Sequence, residues 1–368
     1  MKAGFPEARS RLSKEVTGIV RAGLSAFLFS FLAACSVAEL ERFATEGERL
    51  EEGSAAPRRD TGLSQKVGVE LLSVEAIIKG GRVSVEGYAG EFRRILIGAS
   101  DEVRLERPVA VGGTGNTLYI VDALPKIIYK YDLVLNEIAP IKDIANYLVG
   151  EPGNIFVAAD GSFYVVDSMG KQVLHFSAEG QFLVRYQDLA NLSRPMDVLV
   201  DEQSGYVLVA DGSFSHIVVF DRAGNALQAI GRRGTGPGRF RAITFLTSGS
   251  DGIYVLDRLE LPVQVLSWQG EYRYSFGESE LVYPNAVAVD RDQRVFVTDR
   301  ADNTVRVYQN ARLLMTFGGG GSAPGRFRLP SGLWVNGDRL YVADSLNRRV
   351  QVLRINPDAP LPAAVPLD

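Results

Sequence analysis

An all-β ring of six four-stranded blades, a six-bladed β-propeller, is the fold class that two repeated markers predict. The first marker is a hydrophobic strand ending in Asp: YIVD at Asp122, YVVD at Asp167, LVAD at Asp211, YVLD at Asp257, FVTD at Asp299 and YVAD at Asp344, spaced 42 to 46 residues apart. The second precedes each of these: Pro108, Pro152, Pro195, Ala242 in place of Pro, Pro284 and Pro330. Two markers holding one register through six copies signal a repeat architecture, and four short strands in such a unit make one propeller blade.

The composition agrees. Of 368 residues, 46% are hydrophobic and 23% charged, which suits a globular protein and excludes global disorder. A net charge of -4 argues against a protein that coats nucleic acid. Two histidines and one cysteine exclude disulfide frameworks, zinc fingers and iron–sulfur clusters within one chain.

The chain begins with an address. Lys2, Arg9, Arg11, Lys14 and Arg21 stand against Glu7 and Glu15, and then Ala22 to Ala34 runs without a charge. A basic region, a short apolar run and small residues form a secretory signal peptide, here residues 1–34. The run is short for a bilayer span, which takes about 20 residues. It ends Leu32-Ala33-Ala34-Cys35, and Cys35 is the sole cysteine. This segment resembles a bacterial lipobox, in which the Cys35 thiol takes a diacylglycerol and becomes the first residue after cleavage. The alternatives are a plain signal peptide with a chance buried cysteine, or an uncleaved anchor reaching back to Val16. Residues 35–66 offer little to bury and read as a lipidated tether that holds the folded part off the membrane. Residues 67–91 hold two alternating runs, VGVELLSVEAII and RVSVEGY, split by Gly80-Gly81, and read as a hairpin leading into the ring.

Within each repeat the order is strand, polar turn, strand to the Asp, loop, alternating strand. Asp160-Gly161, Ser204-Gly205, Asp251-Gly252 and Asn336-Gly337 supply the tight turns. TVRVY in the fifth unit and RVQVL in the sixth alternate as half-buried strands do. At these residues the units resemble NHL repeats, whose pattern runs P-x-G-V-A-V-D, turn, V-Y-V-A-D, then N-x-R-V-x-V-F. Asp299, Asn303, Arg306 and Val307 match it, as do Asp344, Asn347, Arg348-Arg349 and Val350. GPGRF (236–240) and APGRF (323–327) match the glycine-rich loop leading into the next repeat, whereas blades one, two and four depart from the pattern. The resemblance covers about 105–354. It implies the six-bladed fold and leaves the ligand open.

The sixth unit stops near Ile355 without an outer strand. Phe92–Pro108 resembles Leu313–Pro330, each with a strand ending in Gly and then a loop to Pro. Residues 92–98 are therefore expected to supply the missing strand from the N-terminal side, closing a ring over 92–355 and removing its open edge. Residues 356–368 form a Pro-rich tail.

For chemistry, the Asp column reads as architecture, because an active site breaks symmetry and this feature repeats in every blade. Some six-bladed relatives are histidine-using, zinc-dependent lyases, but His175 and His216 cannot make a three-histidine site and read as structural or surface residues. Calcium-dependent lactonases share the fold. Here the first strands carry few carboxylates beyond Asp160, Asp197, Asp201 and Asp290, so calcium is unsupported and no cofactor is expected. The glycine runs at 112–115 and 318–321 read as turns rather than phosphate loops.

The candidate binding residues are arginines of the blade-to-blade loops: Arg107, Arg194 and Arg241 beside the marker Pro or its substitute, and Arg239, Arg326 and Arg328 in the GRFR loops. They read as a cationic rim around the channel mouth for a carboxylate, a phosphate or an acidic polymer. The structural alternative pairs them with Glu106, Glu151 and Asp197. The expectation is a monomeric, lipid-anchored binding or scaffold propeller of the cell envelope, facing periplasm or exterior. Its loop face would meet a protein or glycan partner, not nucleic acid. The alternative is a metal-dependent lactonase-like or lyase-like enzyme.

Overall fold

The second strand of each repeat is apolar on both faces, and a strand that buries both faces must be sandwiched between sheets. The computed structural model, which describes residues 71–83 and 102–359, places these strands so: FYVVD, VLVAD, GIYVLD and VFVTD are buried at every position. Each joins an inner strand and a third strand in an antiparallel sheet. The inner strands are Pro108–Thr114, Ile155–Val157, Pro195–Val200, Ile243–Gly249, Pro284–Val289 and Pro330–Asn336. Each touches the inner strand of the next blade, the sixth touching the first, so the six encircle one axis. Outer strands such as Phe182–Tyr186 and Ala226–Ile230 are largely exposed or half-buried, apart from their buried last residues Tyr186 and Ile230.

The core lies between neighbouring blades. One cluster joins Tyr164, Val166 and Val173 of blade two to Val198, Val209 and Phe220 of blade three, and similar clusters fill the other gaps. The turns follow the chemistry of their glycines: Gly161, Gly205, Gly252 and Gly337 all have positive φ. A Cβ on Gly252 would sit 2.1 Å from the Leu266 carbonyl oxygen, so no other residue fits there.

An N-terminal strand does close the ring, but the outer place of blade six belongs to Leu72–Ile78, not to 92–98, which lie outside the described residues. Leu72–Ile78 runs antiparallel to Arg349–Ile355, from Leu72 opposite Ile355 to Ile78 opposite Val350, with a bulge between Val74 and Ala76. The reason is burial: Leu72, Ala76, Ile77 and Ile78 are all buried there. Glu75 meets Arg339 of the second strand at 2.8 Å. Of the two runs of 67–91 only Leu72–Ile78 and Gly80–Val83 lie within the described residues, and there they do not pair with each other. Gly80–Val83 instead lies parallel to Glu137–Pro140 at the outer edge of blade one, with Glu102–Arg104 beyond it. A chain that sews blade six to blade one in this way leaves no free seam.

The register also corrects the fourth marker. Ile243, not Ala242, pairs with Asp257 as Pro284 pairs with Asp299 and Pro330 with Asp344. Among the described residues no helix is long and apolar enough to cross a membrane. The signal-peptide and tether segments and Cys35 lie outside the described residues, as does most of the Pro-rich tail.

Candidate functional site

Each strand-end aspartate is fully buried and holds the loop that enters its own blade's inner strand. Asp122 accepts the amides of Glu106 and Arg107 at 2.7 and 2.6 Å. Asp211 takes those of Ser193 and Arg194, Asp257 those of Arg241 and Ala242, and Asp299 those of Val282 and Tyr283. In blades five and six an arginine joins. Arg306 lies 3.0 Å from Asp299, and Arg349 donates to Asp344 at 2.7 Å while also capping the carbonyls of Ser322, Ala323 and Arg326. In blade six Asn347 and Arg349 thus wire the glycine-rich loop to the aspartate. Phe240 and Phe327 anchor these loops in the core, and the side chains of Gln264 and Gln351 hold their backbones.

This wiring makes the two ends of the ring different. The aspartate face carries the loops into inner strands and the loops after each Asp. The hairpin face carries the tight turns, where Asp160, Asp201, Asp221 and Asp290 cap their own backbones. On the aspartate face, large apolar side chains stand exposed in the loops between second and third strands: Leu124, Met169, Leu259 and Leu346 each lie two residues past the Asp, and Phe214 lies three past it. Met169 is 72% and Leu259 61% exposed.

The six arginines singled out from sequence all sit on the aspartate face, spread over blades one, three, four and six. Arg107 forms an ion pair with Glu151 across the boundary to blade two. Arg241 lies 4.0 Å from Glu260. Arg326 donates to the Gly318 carbonyl at 2.7 Å. Arg194, Arg239 and Arg328 are exposed, and their main chains are tied down by Asp211, Gln264 and Asp344. Asp197 does not partner Arg194. It is buried on the inner strand and accepts the Leu246 amide of blade four at 2.7 Å, and burial pushes its carboxyl well above the usual range.

Two arginines outside that set bond directly to inner strands. Arg258 and Arg300 directly follow Asp257 and Asp299, and both reach the start of the next inner strand. Arg258 Nε points to the Pro284 carbonyl at 3.3 Å and its Nη2 to Asn285 Oδ1 at 2.5 Å. Arg300 Nε points to the Pro330 carbonyl at 3.4 Å and its Nη2 to Ser331 Oγ at 2.8 Å. Burial, and then the Arg258 charge, push Arg300 down to about 10; burial and Arg194 depress Arg258 as well. The available signal was position: the residue after the Asp is Ala123, Ser168, Gly212 and Ser345 in the other blades, and arginine only here.

His175 stacks flat on Tyr164 at 3.9 Å, and its buried Nε2 has no partner; burial lowers its pKa. His216 Nε2 meets the Asn191 carbonyl at 2.7 Å. Among the described residues no group of three or more His, Cys, Asp or Glu is placed to hold a metal.

No family model matches the chain, and no curated protein matches its sequence. Solved structures do. A streptogramin B lyase matches with TM-score 0.52 at 12% identity, over 77% of this chain and 98% of its own. Virginiamycin B lyase from Staphylococcus aureus matches with TM-score 0.50 at 11% identity, over 68% of this chain and 95% of its own. A protein of unknown function from Bacteroides thetaiotaomicron matches with TM-score 0.54 at 14% identity, over 68% of this chain and 70% of its own. At these identities the likeness shows the fold: this chain is a six-bladed β-propeller like those of the lyases.

Proposed function

We propose that the protein is a binding propeller of the bacterial cell envelope, lipidated at Cys35, that presents its aspartate face to a partner. The observation that carries this reading is the difference between the two ends of the ring. On the aspartate face exposed apolar side chains follow the Asp in five of the six blades and the loop arginines share that face, whereas on the hairpin face, among the described residues, they stand at the turns of blades one, three and four, at Val134, Leu135, Tyr206 and Trp268. Rigid strands with function on their loops are the usual arrangement for recognition, and apolar surface ringed by charge is the usual chemistry of a protein partner. A glycan partner would draw on the arginines and leave the apolar collar unused. The apolar run ending at Cys35 supports the lipid anchor, and the tether of 35–66 gives the ring its reach.

Two measurements test the proposal. Cys35→Ser should move the protein from washed membranes to the soluble fraction; unchanged retention removes the lipid anchor. Cross-linking in the native envelope should trap a stoichiometric partner that is lost when Arg239, Arg241, Arg326 and Arg328 become Ala. Changes on the hairpin face, such as Asp221→Ala, should leave it in place. Equal loss from both faces, or no partner, overturns the binding role. The second reading is a lactonase-like or lyase-like enzyme, whose support is the fold shared with the lyases; metal-dependent turnover of lactones or esters by the purified protein would put it first.

A further inference from the structure

Arg258 and Arg300 are joined through the inner strands that line the axis. Asn285 accepts from Arg258 and donates through Nδ2 to the Ser331 carbonyl at 3.0 Å, and Ser331 Oγ accepts from Arg300. Tyr283 touches both. Its ring lies under the Arg258 guanidinium at 4.5 Å, and its carbonyl accepts the Arg300 amide at 3.0 Å. Every protein acceptor that these two guanidinium groups meet is neutral. Among the described residues, no carboxylate lies within ion-pair distance of either one. Arg300 Nη1 has no acceptor there at all.

The fold does not need these charges. Tying the loop to the next blade is done elsewhere by a hydroxyl: Ser168 reaches the Pro195 carbonyl, and Ser345 reaches that of Pro108 at 2.6 Å. Two half-buried guanidinium groups that repel each other, with a third at Arg194, are electrostatically costly. A cost placed where a serine would do points to a ligand that offsets it.

We propose that Arg258 and Arg300 form a site for a carboxylate of a polypeptide partner, an Asp or Glu side chain or a chain terminus, inserted at the channel mouth. A planar carboxylate matches the guanidinium fork, and free N–H groups remain on both arginines to receive it. The apolar residues beside the site, Leu259 and Val282, are exposed and would take the neighbouring side chains of a peptide; a sugar or a free phosphate has no use for them. This site rests on the binding role proposed above and names the chemistry of its partner.

The test is arginine modification by phenylglyoxal, which attacks the neutral guanidinium, followed by peptide mapping of the full-length protein in detergent. Arg300, pushed down to about 10, should react faster than the exposed Arg328. N-acetyl-aspartate amide should slow modification of Arg258 and Arg300 about tenfold when it fills about nine sites in ten, and leave Arg328 unaffected. Inorganic phosphate and glucuronate at the same concentration should protect much less. No protection by the aspartate probe overturns the site. Equal or better protection by phosphate or glucuronate overturns the polypeptide carboxylate. Arg258→Ser with Arg300→Ser, checked for an intact melting transition, should abolish partner cross-linking; a partner retained by this variant overturns the site and leaves the binding role standing. Protection by the probe with no partner trapped from the envelope overturns the binding role and leaves the site standing.

Discussion

Two adjacent rings of residues behave in opposite ways. The strand-end aspartates are the same in all six blades, fully buried, and each is spent on the loop amides of its own blade. The residues immediately after them differ from blade to blade, and only blades four and five place a cation there. The first ring is what a blade needs in order to be a blade. In four of the six blades the residue of the second ring reaches the next blade's first carbonyl, and two of those four, Arg258 and Arg300, exceed that task. Repetition marks the architecture, and the break in repetition marks the place where a ligand can be told apart from structure.

The largest expected effect comes from breaking the first ring. Asp344→Ala would strand the buried guanidinium of Arg349, which is 5% exposed, together with the side-chain donors of Gln351 and Asn347. Removing one partner of a buried ion pair costs about 3–5 kcal/mol. Asp122→Ala loses the acceptor of two amides and strands no cation, so it should cost about 1–3 kcal/mol. Urea titration of the two variants checks the order. Equal losses would mean that the arginine of blade six adds nothing to its aspartate.

The second ring should respond differently. Arg258→Ser with Arg300→Ser installs the residue that blades two and six already use at this place. It removes a repulsion between half-buried charges and keeps a donor for the carbonyl. The melting transition should stay where it is or rise, within about 1 kcal/mol, while binding of carboxylates is lost. A large destabilisation would return these arginines to the first ring's kind of role.

Much of this was legible in the sequence. The Asp spacing gave the blade count, and the glycine turns and the alternation of TVRVY and RVQVL gave the strands. The closing strand was misplaced. FRRILIG resembles a known outer strand by its trailing glycine, but Leu72–Ile78, whose alternation reads equally well as one arm of a hairpin, supplies the apolar residues that blade six buries. Ile243 escaped notice because it lacks the proline ring while holding the proline's place in the register. The rim arginines were found by position, but sequence could not separate those answered by carboxylates, such as Arg107, from those that are not. That distinction depends on which side chains of different blades meet, and residues such as Asn285 and Arg258 lie 27 positions apart.

A smaller effect sharpens the same contrast inside the channel wall. Asp197 ties blade three to blade four through the Leu246 amide, and burial raises its pKa. A carboxyl raised in the folded state binds its proton more tightly there than in the unfolded chain, so its contribution grows as pH falls from the folded pKa toward the ordinary carboxylate value. Asp197→Asn keeps an oxygen for Leu246 without a charge to bury. It should match or exceed the parent at neutral pH and flatten its acid-side stability profile, whereas Asp197→Ala should lose about 1–3 kcal/mol. An Asn variant clearly less stable than the parent at pH 7 would show that the charged form is favoured in the wall.

The smallest effect concerns His175, which no ring repeats. Its ring lies flat against Tyr164, its buried nitrogen has no partner, and burial lowers its pKa, opposed only by Asp160. Below the ordinary histidine pKa of about 6.5, the unfolded chain takes up a proton that the folded chain refuses, so stability falls as pH drops from there toward the folded pKa. His175→Phe keeps an aromatic ring on Tyr164 and cannot titrate. The difference in melting temperature between parent and variant should therefore widen in the variant's favour between pH 7 and pH 5. A constant difference over that range would mean that the folded sheet accommodates the protonated imidazole, Asp160 being the carboxylate that acts on it.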